Sequence, residues 1–186
     1  MVLRALLFVA TLSALAGSVA AQDLAVVGLD GKAAVLSAAD LAALPRARVD
    51  LDAHGERHRY EGPLLIEVLA KAGAPTGKAL RGPAMANVVL VEARDGYAVA
   101  LGLAEADPAT RSNRIILADR RDGAALPADE GAYRLVIEGD LRPARSARMV
   151  NRLVVRRLGG GGDGLEKGPH AGDDGHPRAE REGDRS

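Results

Sequence analysis

Turn-forming pairs recur so often along this chain that they leave no room for long helices. Asp30-Gly31, Asp95-Gly96 and Asp122-Gly123 each follow one short apolar run and precede another. Asp-Gly suits the positive φ angles of tight hairpin turns, and a type I′ turn at Asp30-Gly31 would join strands near Leu24–Gly28 and Ala33–Leu36. The flanking runs alternate with a period of two, the mark of half-buried strands. Val49, Leu51 and Ala53 share one face and Asp50 and Asp52 the other. Val89, Val91 and Ala93 repeat the pattern, and Ala98, Ala100 and Gly102 oppose Tyr97, Val99 and Leu101. With a turn at His54-Gly55, and with "RIILAD", "AYRLVIEGD" and "RMVNRLVVRRL" as further strands, the spacing predicts about eight short strands.

Helical signals are few and local. Ser37 can cap the amides of "AADLAALP", with Asp40 in its first turn and Pro45 ending it. In "PLLIEVLAKAG", Pro63 suits the first helical position. Leu64, Leu65, Val68, Leu69 and Ala72 recur at helical spacing, and Gly73 ends the run. Leu103–Asp107 suits one more short turn. The balance predicts an α+β, β-rich fold with largely antiparallel pairing.

The two ends read differently from the middle. "MVLRALLFVATLSALAGSVAAQ" has one early positive charge at Arg4 and an apolar run from Ala5 to about Ala16. Val19 and Ala21 fit the −3 and −1 positions before Gln22, which is the pattern of a cleaved secretory signal. Residues 1–21 are therefore read as a signal peptide, placing the mature protein in the periplasm or outside the cell, without a membrane span after cleavage. From Gly159 to Ser186 the chain is glycine-rich and charged, with a net charge of −3. It offers too little apolar surface to offset ordering entropy and is expected to be disordered. Residues 22–158 remain as one domain, with a net charge of about +2 and enough length for a core.

Composition excludes several function classes. The only aromatic residues are Phe8, Tyr60, Tyr97 and Tyr133; without concentrated basic charge or stacking rings, nucleic acid is not an expected partner. There is no cysteine, so no thiolate is available to a metal, flavin or substrate. "GGGG" lacks the strand, helix and lysine that a phosphate loop requires. His54 and His58 are four apart, but a hairpin with Gly55 in its turn does not place them as helical metal ligands do. His170 and His176 fall in the tail. Asp129 and Glu130 precede Gly131 and read as a solvated turn. The three tyrosines are expected to anchor the core, Tyr97 through cross-strand packing. No catalytic or metal-ligating residue is assigned.

Three phrases in order, "YEGPLLIEVLAKAG", "VVLVEARDGYAVALGLAEAD" and "RIILADRRDGAALPADEGAYRLVIEGDLRPARSARMVNRLVVRRL", resemble the sulfite-oxidase-like molybdopterin-binding domain. The resemblance runs from about Tyr60 to Leu158, and "LSAADLAALPRARVD" resembles the lead-in of its small exported members. It implies a mixed, barrel-like sheet with short helices, a molybdenum held by a cysteine sulfur, and basic residues that hold the pterin phosphate. One such cluster corresponds to Arg142, Arg145 and Arg148, whose i, i+3, i+6 spacing would align them on a short helical turn. The cysteine is missing here. The expectation is therefore an exported binding or accessory module without molybdenum redox catalysis and without an expected cofactor, molybdopterin being the one the resemblance allows. Its partner would be an anionic small molecule or a protein. Two other readings stay open: a molybdopterin-dependent oxidoreductase subunit with non-thiolate ligation, and an interaction protein using a sheet edge or the tail.

Overall fold

The computed structural model describes residues 22–53 and 55–159; residues 1–21, which the sequence reading expects to be a signal peptide, His54 and the expected tail from Gly160 onward lie outside them. β1 (Leu24–Val27), β2 (Ala33–Leu36), β5 (Asn87–Ala93), β6 (Ala98–Gly102) and β11 (Val150–Arg157) form a sheet in the order β2-β1-β11-β5-β6. β3 (Arg46–Ala53), β4 (Glu56–Pro63), β8 (Arg120–Arg121) and β9 (Ala124–Ala125) form a second, and β7 (Ile115–Ala118) pairs with β10 (Arg134–Ile137). Among the described residues only the β1–β11 pair is parallel; the other strand pairs are antiparallel, as the turn spacing predicts. The helices α1 (Ala38–Ala42) and α2 (Leu65–Ala70) are short.

The β7–β10 pair explains the layering. All four residues of each strand are buried, because both faces are covered. Ile115, Leu117, Leu135 and Ile137 join the larger core, beneath the five-stranded sheet and α2. Ile116, Ala118 and Val136 join a smaller core with Val49, Leu51, Tyr60 and Leu126. The pair is thus a middle layer. The sheets are open, and the barrel-like sheet implied by the resemblance is not closed.

The Ser37 cap forms as expected: Ser37 Oγ accepts from the Asp40 amide at 3.2 Å, and Asp40 accepts from the Ser37 amide at 2.9 Å. Two local expectations fail for identifiable reasons. Pro63 does not open α2. It ends β4, because Gly62 lies directly against the backbone of Leu117 and Ala118 and keeps the chain extended. Leu64 then donates to the Pro45 carbonyl at 3.0 Å, and the helix begins at Leu65. Asp30-Gly31 is not a type I′ turn. Only Gly31 has positive φ, while the Asp30 carboxylate accepts from the Lys32 amide at 3.0 Å, a side-chain turn that lengthens the loop. Of the three Asp-Gly pairs only Asp122-Gly123 has both φ angles positive, at 51° and 84°.

Candidate functional site

Arg142, Arg145 and Arg148 lie in the segment joining β10 to β11. A 3₁₀ turn covers only Pro143–Arg145, and Ser146 and Ala147 then turn inward and are buried. A continuous helical face across the three arginines therefore does not form. Arg145 donates to both carboxylate oxygens of Asp140, at 3.0 and 2.7 Å, and to Glu105 at 3.3 Å. The Asp140 hydrogen bonds raise its pKa despite partial desolvation, fixing its charge on an internal partner. Arg148 reaches Asp129 at 3.4 Å. Arg142 is exposed and has no side-chain partner among the described residues. Tyr97 braces this segment: its hydroxyl donates to the Ala144 carbonyl at 2.6 Å, and its ring is 48% exposed rather than packed in the core.

Glu130 overturns the solvated-turn reading. It is 2% exposed, and Oε1 accepts from Arg121 at 2.7 Å, from the Tyr60 hydroxyl at 3.2 Å, and pairs with Arg134 at 2.9 Å. Arg134 also donates to the Tyr60 hydroxyl at 2.6 Å and stacks over its ring at 4.9 Å. Burial raises the Tyr60 pKa, so the phenol stays protonated and able to donate. Glu130 Oε2 and Arg134 Nε are buried without hydrogen-bond partners. The signal for this cluster was Arg134 itself. A cation that opens a fully apolar strand must find an anion, and Glu130 lies four residues before it. The Glu130 carbonyl also accepts from Met149, a non-glycine residue at φ 52°, so the cluster holds the arginine-bearing segment in place.

Two of the arginine-lined clefts elsewhere bear on anion binding. One, across β3 and β4, has a volume of about 470 Å³ and is lined by Arg46, Arg48, Glu61 and Arg114. Its cations are largely neutralised: Arg46 by Asp119 and Glu61, Arg48 by Glu61, and Arg114 by Glu138. The other, about 770 Å³, lies between the β1–β2 loop and the end of β11. Arg152, Arg156 and Arg157 line it, and among the described residues no acid does. Arg152 pairs with Glu92 at 2.9 Å; Arg157 donates only to the neutral Asn87 amide oxygen at 3.2 Å. Arg156 has no acidic partner among the described residues. Sequence reasoning passed over these three because "NRLVVRRL" reads simply as a strand; the parallel neighbour β1, distant in sequence, turns it into a cleft.

His58 sits between two carboxylates, Nδ1 at 2.8 Å from Asp122 and Nε2 at 3.3 Å from Glu56. It joins the β3–β4 hairpin to the β8–β9 turn. Among the described residues no group of three or more histidines, cysteines or acids could hold a metal ion, and no helix is long and apolar enough to cross a membrane.

No family model matches the chain, and no curated protein does. Among solved structures it is similar to the sulfane dehydrogenase SoxCD from Paracoccus pantotrophus, with 20% identity and a TM-score of 0.53. The likeness covers 73% of this chain but only 38% of that one. At this identity it is a likeness of fold, and it agrees with the β-rich α+β architecture.

Proposed function

We propose that this chain is an exported binding or accessory module built on the sulfite-oxidase-like molybdopterin fold, without molybdenum redox chemistry, and that it engages an anionic partner. The observation that carries this reading is the absence of any cysteine from a chain of this fold. In the family that the sequence resembles, a cysteine thiolate holds molybdenum. That soft donor tunes the metal's electronics, and a hydroxyl does not replace it. Ser146 Oγ, beside Arg145 in sequence, is buried and without a hydrogen-bond partner among the described residues.

The arginines that would hold a pterin phosphate also fit it poorly. A guanidinium recognises phosphate through its paired N–H groups. Arg145 already spends that fork on Asp140, and Arg148 faces Asp129. A phosphate would have to displace one carboxylate and leave it partly buried beside another anion. Only Arg142 is open.

That open arginine favours the second reading, an oxidoreductase subunit that retains molybdopterin by non-thiolate means. Incubating the full chain with molybdopterin, passing it through a desalting column and measuring the fluorescence of released, oxidised pterin separates the two. The module reading expects background fluorescence. Retention by the wild type that Arg145→Ala and Arg148→Ala abolish would support the oxidoreductase reading instead.

A further inference from the structure

We infer that the 770 Å³ cleft beside β11 is a binding site for an amphipathic organic anion, one with a phosphate, sulfate or carboxylate head and an apolar body. The inference deepens the reading of the chain as an anion-binding module, and rests on it. Three observations converge on this ligand class.

The first is charge. Among the described residues Arg156 and Arg157 carry two positive charges with no acidic partner, and none of those lining the cleft is acidic. The arginines near Asp140, Asp129, Glu61 and Glu138 are all compensated internally. An anion therefore gains more at β11 than at those compensated arginines, because it displaces no carboxylate, and β11 offers two such cations where the 142–149 segment offers Arg142 alone. The Arg157 fork is also oriented, by the Asn87 hydrogen bond from its Nε.

The second is the apolar wall. Val27 and Leu29 line the same cleft, Val27 half-buried and Leu29 39% exposed, so an alkyl or ring body would cover apolar surface that now faces water. Removing apolar surface from water favours binding. A small inorganic ion would leave that wall uncovered. The third is the loop. Gly31 also lines the cleft, with φ 77° and no neighbour within 4 Å of where a side chain would begin, so this part of the wall is bare backbone that a ligand can approach closely.

Decyl phosphate, kept below its micelle concentration, is the probe, with methyl phosphate and decanol as its head and body alone. Titrated into the ¹⁵N-labelled full chain, decyl phosphate should shift the amides of Gly28, Gly31 and Val154–Arg157 saturably. Methyl phosphate and decanol should each bind at least tenfold more weakly. Arg156→Gln/Arg157→Gln should weaken decyl phosphate at least tenfold, while Arg145→Gln leaves it unchanged; the dispersed spectra of both variants report that they are folded. Should the shifts map to the 142–149 segment and vanish in Arg145→Gln, the anion-binding reading stands and this site is wrong. Absence of saturable binding by the wild type overturns the site, whatever the pterin measurement gives. Equal binding of decyl and methyl phosphate overturns the amphipathic class.

Discussion

Glu130 and Arg134 are a buried ion pair inside a protein whose other salt bridges are mostly at its surface. Removing one partner from such a pair leaves a charge stranded in the interior, which typically costs about 3–5 kcal/mol. Glu130→Ala should lower stability by that order in urea unfolding, whereas Arg148→Ala, which loses an exposed partner at 3.4 Å, should cost under about 1 kcal/mol. Similar small losses in both would contradict the assigned role of Glu130. The sequence made Asp129 and Glu130 look alike, two acids before a glycine. What separates them is tertiary: Arg121, Arg134 and Tyr60 arrive from three other elements. Glu138 gives a second test. Its hydrogen bonds from Arg114 lower its pKa from 4.5 to about 2. A carboxyl that ionises more readily when folded stabilises the fold above its unfolded pKa and loses that contribution as pH falls through the folded one. The urea midpoint should therefore drop between about pH 4.5 and pH 2, and Glu138→Gln should flatten part of that slope. Since Glu138 is partly exposed the effect is modest; an identical slope in the variant would contradict it.

Among elements, β4 is the hinge of the architecture. It pairs with β3 and β8 in one sheet, yet its end runs against β7 through Gly62 and the Leu64–Ile116 bridge. A Cβ at Gly62 would overlap the Leu117 carbonyl and the Ala118 backbone, neither of which can swing aside. Gly62→Ala should therefore cost at least the 1–3 kcal/mol usual for overpacking, by about the upper end of that range, and should lower the thermal midpoint. Gly55→Ala is the comparison, because it meets no neighbour and loses only its φ of 85°. Equal midpoints for Gly62→Ala and wild type would contradict the close approach. Most elements were legible because their signals are local: alternation gave β5 and β6, and the Ser37 box gave α1. The start of α2 was not. Pro63 satisfies the local rule for a helix start, but packing of the preceding glycine against β7 overrides it.

For the whole molecule, three layers follow from one fact, that both faces of β7 and β10 are buried. The runs "IIL" and "LVI" announced burial, but their partners are remote in sequence and so the stacking order was not readable. The same limit hid the β11 cleft, whose walls come from opposite ends of the domain. The missing cysteine, in contrast, was plain from composition, and it still governs the functional account: a fold shared with a sulfane dehydrogenase, basic clusters mostly neutralised from within, and no thiolate. The most direct measurement is the molybdenum content of the full chain, purified from its native source and assayed by mass spectrometry against protein concentration. The account predicts molybdenum at trace level, far below one atom per chain. A ratio near one would contradict it.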